Sequence, residues 1–209
     1  MSTSGRTGGK PSSWAAERFG QYADRLVAAV PAQLAQAHVQ AYDTHLTARL
    51  KKRSPYGSTL AEAVRENLAD TARELGGDVR DVRGYEYAVI NGHALFPYRY
   101  ADRPKPLDRA RLPSDASPTR RRLLRAHGPQ QPQGALFDLD DDLTTEEYLK
   151  LHEVFEELGA RTKLVCVFFT ADVESGIHVI HWGEAHLELD RTFTWLHSEE
   201  LPVTGLPVG

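Results

Sequence analysis

The chain has a single cysteine, Cys166, so no disulfide can form within it and no zinc site can rest on cysteine ligands. It lies in the apolar run Leu164, Val165, Cys166, Val167, Phe168, Phe169, where a lone thiol is expected to act as a small core hydrophobe. A nucleophilic cysteine would need exposure and a base beside it. Long hydrophobic runs are also missing: no stretch approaches the ~20 apolar residues of a membrane span. Met1 to Ser13 is rich in Ser, Gly and Thr, without the apolar centre of a secretory signal. These absences predict a cytoplasmic protein with no membrane partner and a disordered tail over 1–13.

A large excess of charge of one sign is lacking too. A formal charge of -4 on 209 residues creates no whole-molecule field toward nucleic acid or an acidic membrane, so any such binding must come from a local patch. Several catalytic signatures are absent. There is no Gly-x-Ser-x-Gly elbow, no glycine loop ending in Lys-Ser or Lys-Thr, and no His-Glu-x-x-His or His-x-His spacing. What remains is ordinary globular composition, 41% hydrophobic and 26% charged, enough for one α+β domain over 14–209. The preference for arginine over lysine and the abundance of alanine point to GC-rich coding of bacterial type.

Helical periodicity dominates the first third. Trp14, Phe19, Tyr22, Leu26, Val27 and Val30 recur on one face, and the stripe resumes after Pro31 through Leu34, His38, Tyr42, His45 and Leu46. This reads as two helices, or one kinked at Pro31; proline costs about 3 kcal/mol inside a helix but suits its first turn, which favours a break with Pro31 opening the second segment. Lys51 to Arg53 complement the helix C-terminus, and Ser54 to Gly57 stop it. Thr59 and Glu62 have capping-box spacing, opening a helix from about Leu60 to Leu75.

The period then alternates. Tyr85 to Ile90, Asn91-Gly92 and His93 to Tyr100 form a hairpin signal, because both turn positions of a type I′ turn need positive φ. With Ile90 opposite His93, Tyr85, Tyr87 and Val89 share a face with Ala94, Phe96 and Tyr98 as an aromatic platform. Pro97 predicts an edge or bulge in the second strand. A proline- and arginine-rich connection follows at about 101–133, with Ser117-Pro118 opening a short helix. Leu136 to Leu139 reads as a short strand, and Asp140 to Asp142 precede a helix capped by Thr144 and Glu147. Lys163 to Ala171 is apolar on both parities, so it is expected as a central strand covered on both faces. Ile177 to Asp190 and Thr192 to Leu196 complete a three-strand meander. The fold expected is α+β, N-terminal helices packed against a mainly antiparallel sheet.

Two surfaces carry candidate chemistry. From Arg99 to Arg125 there are nine Lys or Arg against three Asp. Arg99, Arg103, Arg109, Arg111, Arg120, Arg121, Arg122 and Arg125 could contact phosphates while Tyr87, Phe96 and Tyr98 stack bases, or equally the aromatics are core. The same cluster suits an acidic protein surface, or could be neutralised internally by Asp138 to Asp142. The reading that follows is a noncatalytic binding or regulatory protein recognising an anionic partner, nucleic acid or acidic protein, with no cofactor.

The alternative is a metal-dependent hydrolase or nuclease on the strand from Ile177 to Asp190. His178 and His186 lie roughly 26 Å apart along a straight strand and cannot share an ion. Glu184 and His186 are about 7 Å apart and could hold a divalent metal if Asp172, Glu174 or His197 joined them. A third reading gives the amphipathic helices an apolar stripe in excess of what the sheet covers, with a second copy of the chain as partner.

Overall fold

The computed structural model describes residues 11–48, 54–129, 153 and 156–203. Helix α1, Ser13–Phe19, starts at Ser12, whose hydroxyl accepts the Ala15 N–H at 3.0 Å. It ends at Gly20, where φ is +56°, and a short 3-10 turn leads into α2, Ala23–Ala48. The expected break at Pro31 is therefore corrected: the chain redirects at Gly20, and Pro31 sits inside a 26-residue helix. Leu26, Val27, Val30 and Leu34 bury one face of α2 around the proline. That burial offsets a proline penalty of about 3 kcal/mol, each large side chain contributing about 2 kcal/mol.

Helix α3, Ser54–Leu75, begins a turn earlier than the capping-box spacing indicated. Pro55 falls in its first turn, where a missing N–H costs nothing. Tyr56 fixes that extra turn. Its ring is buried and its hydroxyl donates to the Asp172 carbonyl at 2.8 Å. The expectations for Lys51 to Arg53, Leu136 to Leu139, Asp138 to Asp142 and the Thr144–Glu147 cap lie outside the described residues.

Six strands follow: β1, Asp78–Val82; β2, Tyr85–Ile90; β3, His93–Ala101; β4, Lys163–Asp172; β5, Gly176–Leu187; and β6, Phe193–Leu201. They form one sheet in sequence order, antiparallel throughout except for the parallel pair β3 and β4. Between that pair lies the long connection carrying α4, Pro118–Ala126. The α+β class is therefore observed, with α1 to α3 on one face of a mostly antiparallel sheet.

Local chemistry explains most of the registers. Asn91 and Gly92 both have positive φ, and Ile90 pairs with His93 as the turn type requires. Beyond Val89 opposite Ala94 no further β2–β3 pair forms, and Pro97 is paired only with Val167 of β4. Strand β3 is thus interior in the sheet but locally open on its β2 flank, which is how it tolerates a residue with no N–H. Strand β1 is mostly exposed along its length, so its residues show no apolar alternation.

Two cores result. Val165, Val167, Phe169 and Ala171 of β4 face the helices, and Leu164, Cys166 and Phe168 face the α4 side, where they meet Leu123, Leu124 and Phe193. This is the doubly covered central strand that its unbroken apolar sequence implies. Among the described residues no helix is long and apolar enough to cross a membrane.

Candidate functional site

The hairpin aromatics belong to the second core. Tyr87 is 4% exposed, Phe96 2% and Tyr98 7%, so none of the three presents a face to a base. Their shared parity was legible, but the 102–112 stretch closes over them: Ala110 and Leu112 are buried in the same cluster. The shared face expected for Tyr87, Val89, Ala94, Phe96 and Tyr98 is thus present, and it is turned into the core.

The tyrosine hydroxyls instead strap the connection to the sheet. Tyr98 donates to the Arg111 carbonyl and Tyr100 to the Lys105 carbonyl, both at 2.7 Å. Burial pushes both phenols up to about 12, so they remain donors at any ordinary pH. Arg111 also bridges to Thr192, and the Leu112 N–H donates to the Arg191 carbonyl at 2.9 Å. The described part of the connection is held at fixed points along β3 and the β5–β6 turn.

The arginines divide into groups with different roles. Arg99 points to the opposite face of the sheet, where it donates to the Ala171 carbonyl at 3.1 Å, pairs with Asp102, and lies 5.8 Å from the Tyr56 ring centre. Arg121 turns back along its own helix start, donating to the Ala116 carbonyl through Nε and Nη2 and to that of Ser114. Neither is free for a partner. Arg120 lies near Tyr87 and Tyr98 and opposes the burial-driven rise of both phenols.

Arg103, Arg109 and Arg111 are exposed, and Arg120, Arg122 and Arg125 are half-buried on α4. None of these six forms a salt bridge with another described residue. Local sequence fixes their platform. Ser117 caps α4 by accepting the Arg120 N–H at 3.3 Å, Pro118 occupies the first turn, and Leu123 and Leu124 anchor the helix with no exposed surface.

On β5, Glu184 is occupied by a partner that the sequence did not suggest. Arg18 of α1 donates to its two carboxylate oxygens, from Nε at 2.7 Å and Nη2 at 3.2 Å. Burial pushes the Glu184 carboxyl up, but the Arg18 bonds and charge outweigh it and hold the group below the usual carboxylate range. His186 stands beyond Ala185 in register with Thr194. Among the described residues no group of three His, Cys, Asp or Glu side chains converges as a metal site would require.

A second polar cluster was not foreseen. Tyr56 uses its one proton on the Asp172 carbonyl, so the His38 Nδ1 at 3.0 Å must be the donor in its contact with the Tyr56 oxygen. His178 approaches the Asp172 carboxylate at 3.1 Å, and the other carboxylate oxygen accepts the Glu174 and Ser175 N–H groups. These bonds close the β4–β5 turn, a structural task sufficient to explain them. Comparison with known protein families, with curated proteins and with solved structures finds no match to this chain.

Proposed function

We propose that the protein is a noncatalytic binding or regulatory protein of the cytoplasm that recognises an anionic partner, nucleic acid or an acidic protein surface. The observation that carries this reading is the set of arginines on α4 and the 103–111 stretch that form no salt bridge among the described residues, with Asp190 the carboxylate that feels the charge of Arg111, on a helix whose leucines are buried. Rigid display matters because binding then costs little side-chain and loop ordering. Arg103, Arg109, Arg111, Arg120, Arg122 and Arg125 form the binding surface, while Arg99 and Arg121 serve the fold.

With Tyr87, Phe96 and Tyr98 enclosed, recognition runs through charge and backbone contacts rather than base stacking. No cofactor takes part in this reading. The test is retention of labelled single- and double-stranded DNA and RNA, and of a polyglutamate chain, across a salt series with and without magnesium. Arg122→Glu with Arg125→Glu should weaken capture at least tenfold and reduce the salt slope by about 0.9 for each phosphate that is no longer neutralised. Capture unchanged by the double reversal would remove the proposal. Cleavage appearing only with metal would transfer support to the hydrolase alternative at Glu184 and His186.

A further inference from the structure

A cavity of about 510 Å³ opens where the end of α4, the start of β4, the middle of β5 and the first helix meet. Its wall includes Arg18, His127, Arg161, Lys163 and Glu184, with Pro129 and Ala160 as the accessible apolar surface and the buried Leu164 behind them. Three obligate cations face one carboxylate, an excess of two positive charges in a protein whose net charge is negative. None of the cavity's residues belongs to the six arginines proposed to meet a macromolecule.

The wall is built rather than incidental. The Leu164 N–H donates to the His127 carbonyl and His127 Nδ1 donates to the Thr162 carbonyl, both at 2.8 Å, which locks the α4 end to the β4 start. The Lys163 N–H donates to the Gly92 carbonyl at 3.0 Å, fixing that residue to the β2–β3 turn. Gly128 lets the chain turn tightly off the end of α4: a Cβ there would lie 2.3 Å from the Leu124 carbonyl oxygen of the same helix. Arg18 is held at three of its five N–H groups, two on Glu184 and one on Glu17, leaving one hydrogen on each terminal nitrogen. Arg161 and Lys163 are exposed, and neither pairs with a described carboxylate.

We infer that this cavity is a binding site for a small phosphorylated organic molecule. A phosphate monoester carries about two negative charges at neutral pH, matching the excess of the wall, and accepts several charge-assisted hydrogen bonds from planar and point-charge donors at once. The volume lies in the range of small-molecule sites and exceeds what a bare phosphate fills, so the ligand brings a carbon body to the Pro129 and Ala160 side. The Arg18–Glu184 pair supplies orientation, and Arg161 and Lys163 supply the charge.

The probes are inorganic phosphate, glycerol phosphate and succinate, titrated into the full chain by calorimetry with thermal shift as a second readout. Saturable binding of glycerol phosphate, tighter than either of the others, is expected. Arg161→Ala with Lys163→Ala, both exposed and so compatible with folding, should weaken it by about tenfold or more. Arg122→Glu with Arg125→Glu should leave it unchanged, so a failed macromolecular surface and a failed cavity read out separately. Absence of saturable binding, equal affinity for succinate, or affinity insensitive to the Arg161/Lys163 pair would each overturn the assignment.

Discussion

Arg18 and Glu184 stand 166 positions apart in the chain and meet in a two-pronged salt bridge that ties the first helix to β5. Their side chains are 23% and 12% exposed, so the pair is only partly screened by water. Removing one member leaves the other half-buried without its counter-charge. Glu184→Gln should therefore cost about 1–3 kcal/mol, and a double-mutant cycle with Arg18→Met should return a coupling of about 1–2 kcal/mol in urea unfolding. Additive single costs would mean the pair contributes geometry without stability.

Acid should weaken the fold in two steps. Burial holds His38, His93 and His181 below the ordinary imidazole value, so each favours its neutral form when folded. Their contribution is complete above the unfolded value of about 6.5 and declines as pH falls toward the folded values. Asp172, Glu184 and Glu199 are partly buried, which alone would raise them, but hydrogen bonds and neighbouring side chains hold all three below the usual range. Their contribution is complete above about 4.5 and is lost as pH falls through the folded values. The urea midpoint measured from pH 8 to 3 should fall first near 6.5 and again below 4.5. A midpoint that rises between pH 7 and 5 would contradict the burial of the histidines.

The features that were legible in the sequence are those decided by local stereochemistry. Asn91-Gly92 can satisfy two positive φ angles cheaply, Ser117-Pro118 can open a helix, and the doubly apolar Lys163 to Ala171 run has nowhere to go but the sheet centre. Pro31 misled because its penalty is local while the burial that outweighs it comes from the sheet and the neighbouring helix. Strand β1 has no readable alternation because its two valines, Val79 and Val82, are three residues apart and go to different cores, among the exposed Asp78, Arg80 and Asp81. The arginine cluster was visible as composition, but which arginines face outward depends on backbone carbonyls at Ala116 and Ala171 that no pattern announces. Arg18, Arg161 and Lys163 converge only through tertiary structure, and no spacing along the chain marks their cavity.

Cys166 should be inert in the folded protein. It is buried in the second core, and burial pushes its thiol up to about 12. The thiolate is the reactive form, so at pH 8 both access and ionisation oppose reaction. An aromatic disulfide reagent should modify native Cys166 at least about a hundredfold more slowly than the urea-unfolded chain. Comparable rates in the two states would place the β4 centre in frequent contact with water.

Gly183 and Gly84 should respond very differently to alanine, for reasons that separate space from backbone conformation. At Gly183 a Cβ would fall 2.0 Å from the His197 carbonyl oxygen and 2.9 Å from the Ser198 Cα, both backbone atoms of the paired strand β6. Strand β6 would have to move away, and His197 is the residue stacked on Trp14 at 4.5 Å and bonded to Glu199 at 2.7 Å. Gly183→Ala should cost about 3 kcal/mol and alter tryptophan fluorescence as the Trp14 and Trp182 surroundings shift. Gly84 has φ of +82° in the β1–β2 turn with open space around it, so Gly84→Ala incurs only the left-handed backbone penalty, about 1 kcal/mol, with the spectrum unchanged. Equal costs and unchanged fluorescence in both variants would mean that the close approach of β5 and β6 at Gly183 does not hold α1 in place.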